Sequence, residues 1–326
     1  MATRPQRGHF TELDGMRGVL ALIVLVLHLG LNPAVSALSL GWLPRQNWAW
    51  SVSVDVFFVL SGFVLFLSLD RTRPGLIDYF TRRLRRLAPV YLIGTVAMIV
   101  LGRVVPVRLI VFNLLMVQTV INRASINFAA WSIPLELFLP ALALPLLPLI
   151  ARAPKLPVAL LFGIALTGCA ICAAMVALHT DNRLARGIFG LATGMLLARL
   201  WQMTPAVTPR PRLVLALFAA CILLMAVAAR YPLIASLIPV FAVAAIWFGS
   251  RTHTILSSAP FQAFGRWSYA IYLLHVPVLA LAAHTIGSAD HSLWRKVVVI
   301  AVTIALSAFT YRFIEAPLMQ RSRPAP

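Results

Sequence analysis

The sequence predicts an all-α fold: a polytopic membrane helical bundle of about ten transmembrane helices, forming a single domain over residues 1–326. Three observations carry this expectation. Hydrophobic residues make up 61% of the chain and charged residues only 11%, with a mean hydropathy of +0.90, a balance suited to lipid rather than water. Apolar runs of spanning length recur at 14–32, 49–69, 87–105, 130–150, 156–178, 184–200, 213–230, 232–249, 264–287 and 294–315. Most basic residues flank these runs, which is the pattern that orients a membrane protein. A formal net charge of +19 on a soluble surface would point to nucleic acid. Spread along the edges of apolar runs it points to topology instead, so no nucleic-acid partner is expected.

The first run opens LDGMRGVLALIVLVLH. Glu12 and Asp14 precede it and Arg17 lies inside it, so a retained first span is expected rather than a cleaved signal peptide. The second run holds Asp55 in SVDVFFVLSGF, and the third follows the block Arg82, Arg83, Arg85 and Arg86. The segment 107–121 follows Pro106 and is short, so it reads as re-entrant or interfacial; a full crossing there would invert everything after it. The fourth run opens with WSIPLELF and carries Glu136. The fifth contains Cys169 and Cys172; no further Cys or His joins them at metal-ligand spacing, so they read as small packing residues and no metal site is expected. The sixth to eighth runs offer bundle-forming apolar residues. The ninth brings Ser268, Tyr272 and His275 together in GRWSYAIYLLH, and the tenth ends at Glu315 before Pro317. Glu315 reads as a cap or as a partner for a nearby arginine. Ten crossings put both termini on one side, and the arginine excess, dominated by the 82–86 block, assigns that side to the cytoplasm.

Arg17 and His28 carry the chemistry of the first span. Ionisable groups within a membrane segment are costly and mark function by default. Their spacing makes about three helical turns, with a residual twist of roughly 20° and a rise of ~16 Å. The two side chains therefore share a face at two depths. Arg17 lies level with Arg82, Arg83, Arg85 and Arg86, and guanidinium groups gathered at a membrane mouth bind phosphate bidentately. The alternative for the block is a topogenic loop held near anionic headgroups, with membrane lipids as its partners. His28 suits a general base, and a carboxylate beside it would set its tautomer. Asp55 lies at matching depth and is preferred as that carboxylate over Glu136, which is also placed near the outer face. Offsets of four and three put Ser268, Tyr272 and His275 on one face of the ninth helix. Tyr269 and Trp267 read as interfacial anchors, and Ser61 and Gly62 as sites of close helix approach.

Taken together, LDGMRGVLALIVLVLH, SVDVFFVLSGF, RRLRRLAPVY, WSIPLELF, SYAIYLLH and FIEAP resemble the acyltransferase-3 family of integral membrane acyltransferases, which includes carbohydrate O-acetyltransferases. The blocks occur in the family's order over nearly the whole chain, with the R-x10-H pattern at Arg17 and His28. The resemblance implies transfer of an acyl group, usually acetyl, from cytoplasmic acyl-coenzyme A to a hydroxyl of a glycan or glycolipid. It implies acyl-coenzyme A as donor substrate without a permanently bound cofactor, and a multi-pass place in the bacterial inner (plasma) membrane. It assigns donor handling to Arg17, joined here by Arg82, Arg83, Arg85 and Arg86, and catalysis to His28, supported by Asp55 or Glu136. Ser61, Ser268, Tyr272 and His275 stand as supporting residues. Two departures bear on the acceptor. Glu136 is followed by Leu137 where the family often has a second acid, and the chain is expected to be the core without the SGNH hydrolase-like domain that many O-antigen members carry. Two other readings fit the same residues: acylation of a small hydrophobic hydroxyl compound such as a macrolide, and a non-enzymatic flippase for a lipid-linked sugar.

Overall fold

A computed structural model describes residues 10–29, 48–102, 105–148, 156–177, 181–205, 207–228, 237–286 and 292–320. These residues are helical, with no strand among them. The helices are α1 (Thr11–His28), α2 (Trp48–Thr72), α3 (Leu76–Leu101) and the short α4 (Val107–Leu114). A composite rod follows, in which 3₁₀ turns Phe128–Ser132 and Leu139–Leu146 flank α5 (Ile133–Phe138). Then come α6 (Leu156–Ala177), α7 (Arg183–Met203), α8 (Pro211–Ala228), α9 (Ile238–Gly249) and α10 (Ala259–Thr285). The last rod joins α11 (Leu293–Thr310) to α12 (Ala316–Gln320) through a π turn, Tyr311–Glu315.

Among the described residues, six helices are long and apolar enough to cross a membrane: Val52–Thr72, Leu76–Leu101, Phe128–Pro145, Arg183–Met203, Ala259–Thr285 and Leu293–Gln320. The other four expected runs differ for identifiable reasons. α1 has 18 residues but includes Glu12, Asp14 and Arg17. The apolar stretches Val158–Ile171, Pro211–Val227 and Ile238–Gly249 do not add to that number among the described residues, so six candidate spans are shown and the count of about ten is not.

The segment 107–121 turns back. α4 has 8 residues, a length of ~12 Å, far less than a ~30 Å hydrocarbon core. The buried Asn113 then ties the returning chain: its amide donates to the Ala124 carbonyl at 3.0 Å and its side-chain oxygen accepts from the Ile126 N–H at 3.0 Å.

Helix directions agree with that reading. α2 and α7 touch at both ends in the same order, through Arg186 with Asp55 at 2.9 Å and Gln202 with Asp70 at 2.9 Å. They therefore run parallel. If α3, the 128–146 rod and α6 each cross between them, parallel is the sense required, and a further crossing at 107–121 would make them antiparallel. The two helices approach through glycine, since a Cβ at Gly194 would lie 2.1 Å from the Val59 carbonyl oxygen. Without a hydrophobic drive in lipid, such backbone proximity is the main source of helix adhesion.

α1 and α10 form a second parallel pair. Glu12 accepts from the Thr254 N–H at 2.9 Å and also from its hydroxyl, Gln262 donates to the Thr11 carbonyl, and His28 lies beside His275 at the far end. At Gly18 an added Cβ would stand 2.7 Å from the Gly265 nitrogen, so this seam is also closed by glycine. α3 runs alongside α10, with Tyr269 donating to the Leu87 carbonyl at 2.6 Å and His284 against the Leu101 carbonyl at 2.8 Å. The site lies where α1, α3, α10 and the 128–146 rod converge.

Candidate active site

At one end of the bundle, arginines gather around a cavity of about 130 Å³ lined by Arg17, Ser61, Arg83, Arg86, Glu136 and Tyr269, among others. α3 supplies Arg83 and Arg86 because positions three apart share a helical face, the face that also buries Tyr79, Leu87 and Val90. Arg82 and Arg85 do not line this cavity, and Arg85 is exposed. The arginine block is thus divided between the interior and the bundle exterior. Arg83 Nη2 donates to the Glu136 carbonyl at 3.0 Å and lies 3.7 Å from its carboxylate, to which Ser61 Oγ also donates at 3.3 Å. Arg17 lies 4.0 Å from Asp14. The Nε groups of Arg17 and Arg83 are buried without a hydrogen-bond partner among the described residues. Two donors are therefore left over for an anion.

Glu315 joins this cluster through the π turn. α11 buries Val299, Thr303, Ser307 and Thr310, a helical stripe whose next member would be residue 314. The π turn adds a residue, so the buried position becomes Glu315, 4% exposed and within electrostatic reach of Arg86 and Arg17. Glu315 makes no direct ion pair with either arginine among the described residues, and its Oε1 is buried without a hydrogen-bond partner there.

A second cavity of about 30 Å³ shares Arg17, Glu136 and Tyr269 with the first and adds Ser132, Ser268 and Tyr272. Ser268 donates to the Gly265 carbonyl at 2.8 Å, and Ser132 Oγ donates to the Tyr272 hydroxyl at 3.4 Å. Tyr269, expected as an interfacial anchor, instead lines both cavities, tied to Leu87. Ser268 and Tyr272 share this wall as their helical offset predicts, and His275 follows with its ring 6.3 Å from that of Tyr272. The two cavities make one polar passage.

Next to Tyr272, behind the wall of the smaller cavity, lies a histidine pair. The rings of His28 and His275 are 5.0 Å apart and tilted by 33°, with Phe128 5.1 Å from His28 and 6.2 Å from His275. His28 Nδ1 lies 2.8 Å from the Val24 carbonyl and His275 Nδ1 lies 3.1 Å from the Ile271 carbonyl. A carbonyl only accepts, so both Nδ1 atoms carry the hydrogen and both Nε2 atoms present a lone pair. His275 is 0% exposed and its Nε2 has no partner among the described residues, whereas His28 is exposed.

The carboxylate expected beside His28 is elsewhere. Asp55 accepts from Arg186 Nε at 2.9 Å, and the Arg186 guanidinium lies 5.0 Å from the ring centre of Trp131. Depth set Asp55 level with His28 but not its azimuth; the glycine seam with α7 turns Asp55 toward Arg186. Glu136 was placed near the same end as His28 and lies at the arginine end. The rod starts at Phe128, beside His28, and partly winds as 3₁₀ helix. Between 128 and 136 it descends ~12–16 Å, which matches the ~16 Å from His28 to Arg17. The tautomer of His28 is set by its own helix, through Val24.

Asn127 was absent from the expected site. Pro277 has no N–H for the Leu273 carbonyl four residues earlier, and Asn127 Nδ2 donates to that freed carbonyl at 2.8 Å. This bond docks the start of the rod against α10 and holds Phe128 at the histidines. The proline was visible beside His275, but its partner lies 146 residues away in sequence.

The chain is 24% identical, over 97% of its length, to the peptidoglycan O-acetyltransferase OatA of Listeria monocytogenes, and spans 57% of that relative's length. No solved structure matches the chain. A family model described as an acyltransferase domain matches residues 10–312, from the start of α1 into the π turn that carries Glu315. With its matched span covering the arginine cluster, the passage and the histidine pair, the chain belongs to the acyltransferase-3 family of membrane acyltransferases.

Proposed function

We propose that this protein moves an acyl group, acetyl in the first instance, from cytoplasmic acyl-coenzyme A to a hydroxyl of a cell-envelope carbohydrate or glycolipid. The observation that carries the proposal is a pair of adjoining polar cavities that hold Arg17, Arg83 and Arg86 at one end and reach Tyr272 at the other, where the Tyr272 ring lies 6.3 Å from that of His275 and His275 lies beside His28. The name of the Listeria relative, a peptidoglycan O-acetyltransferase, supports acetyl as the group and a wall glycan as the acceptor class. Both termini then lie in the cytoplasm of a bacterial inner membrane, with the arginine end inward and the histidine end outward, as the arginine bias favours.

In this reading Arg17, Arg83 and Arg86 bind the donor phosphates, Arg17 and Arg83 offering Nε groups that have no partner among the described residues. Glu136 and Glu315 offset part of the buried positive charge until the anion arrives. The thioester arm runs past Tyr269 and Ser268. At about 130 and 30 Å³ the cavities hold water molecules rather than that arm, so donor entry widens the passage. The Ser132 and Tyr272 hydroxyls supply hydrogen bonds to the thioester carbonyl oxygen as it gains charge. His28 Nε2 removes the acceptor hydroxyl proton as the oxygen attacks that carbonyl. The test uses protein in liposomes, with acetyl-coenzyme A and peptidoglycan glycan fragments. His28→Ala is expected to stop coenzyme A release and glycan acetylation while eluting as folded protein. Wild-type rates in that variant would refute the proposal.

A further inference from the structure

The two histidines are equivalent in tautomer but not in position. His28 closes the last turn of α1 and is exposed, so an acceptor arriving from the histidine end meets it first. His275 is wholly buried, with its ring 6.3 Å from that of Tyr272, which lines the smaller cavity, and 5.0 Å from that of His28. His275 therefore stands between the cavity wall at Tyr272 and the exposed His28. A buried imidazole nitrogen without a partner carries a desolvation cost.

We propose that His275 is the second proton carrier of the transfer, taking the proton from His28 and delivering it to the leaving thiolate. This rests on the acyl-transfer reading above. The step balances without another reactant. His28 Nε2 takes the acceptor hydroxyl proton while the oxygen–carbonyl bond forms. The tetrahedral adduct collapses, the carbon–sulfur bond breaks, and its electron pair leaves on sulfur. The proton on His28 passes to His275 Nε2 and from there to that sulfur, so both imidazoles return to their starting Nδ1–H form. His28 serves the acceptor side and His275 the donor side. Tyr272, Phe128 and His28 are the ring neighbours of His275, and its Nδ1 stays bound to Ile271 throughout.

The test compares two donors whose leaving groups differ in their need for a proton. With acetyl-coenzyme A, His275→Gln is expected to lower kcat by ~10²-fold or more, the usual range for a lost acid–base group. With the acetyl thioester of 5-thio-2-nitrobenzoate, whose thiolate leaves without protonation, the same variant is expected to run within a few-fold of wild type. His28→Ala stays inactive with both donors, because the hydroxyl proton still needs a base. Equal losses on both donors would assign His275 a structural role and overturn the proposal, as would an undiminished rate with acetyl-coenzyme A. If His275→Gln does not fold, the wild-type enzyme decides the matter in H₂O–D₂O mixtures. Because the relay protonates the leaving sulfur, acetyl-coenzyme A should show a larger solvent isotope effect than the nitrobenzoate thioester, and equal effects overturn the relay. A wild-type protein that releases no coenzyme A defeats the acyl-transfer reading itself, an outcome distinct from a failure of the relay alone.

Discussion

Replacing Asp55 by Asn removes one charge from the Arg186–Asp55 pair and separates a structural role from a catalytic one. The pair is linked at 2.9 Å, with the two side chains 14% and 23% exposed. At an effective dielectric of about 20, unit charges about 4 Å apart attract by ~4 kcal/mol. A hydrogen bond to a charged group nets ~1.5–3 kcal/mol, and breaking a fully buried pair costs ~3–5 kcal/mol. Because both side chains retain some exposure, the expected loss is about 2–3 kcal/mol. Denaturation of the detergent-solubilised protein by sodium dodecyl sulfate reads that loss directly. A double-mutant cycle with Arg186→Gln should return a coupling of ~2 kcal/mol, as for residues in direct contact. The pH dependence of acetyl transfer by the folded fraction should match wild type, because His28 is oriented by Val24 and not by Asp55. A wild-type denaturation curve combined with a displaced pH profile would refute the assignment and restore Asp55 as the partner of His28.

Three further outcomes follow from the same geometry. Arg17→Ala and Arg86→Ala should each raise the apparent KM for acetyl-coenzyme A by ~10–100-fold, the equivalent of one charged hydrogen bond, while Arg82→Ala and Arg85→Ala shift it less; steady-state kinetics in liposomes separates the two pairs. Asn127→Ala leaves the Leu273 carbonyl without a donor and should destabilise the protein by ~1–3 kcal/mol, with transfer impaired because Phe128 loses its anchor beside the histidines. Gly194→Val forces α2 and α7 apart and should abolish monodisperse elution, whereas Gly163→Ala, with nothing within 4 Å of the new Cβ, should elute as wild type. An intact Gly194→Val protein would show that the glycine seam is not what joins those helices.

Several parts of the site were readable from residue spacing. Arg17 and His28 share a face of α1 because helical geometry is local, and the same argument aligned Ser268, Tyr272 and His275 on α10. The shortness of the helix after Pro106 was readable from the length of the 107–121 run. Partners were not readable. Depth in a membrane constrains one coordinate of a side chain and leaves its direction around the helix open, which is why Asp55 was matched to His28 and found with Arg186. Glu136 was misplaced by a different cause: it lies near the start of the fourth run and so was put near the outer face, whereas the rod begins at Phe128 beside His28 and has reached the arginine end by Glu136.

The sequence by itself determined an all-helical membrane protein, the arginine end and the histidine end of α1, and the family to which those motifs belong. These properties depend on composition and on offsets within one helix. Tertiary structure alone decided that His275 stands beside His28, that Arg83 and Arg86 but not Arg82 and Arg85 face the interior, and that Glu315 enters their cluster. Each of those depends on how one helix is rotated against another. That rotation is set by glycine contacts, a proline-freed carbonyl and a single π turn, whose counterparts lie far away in the chain.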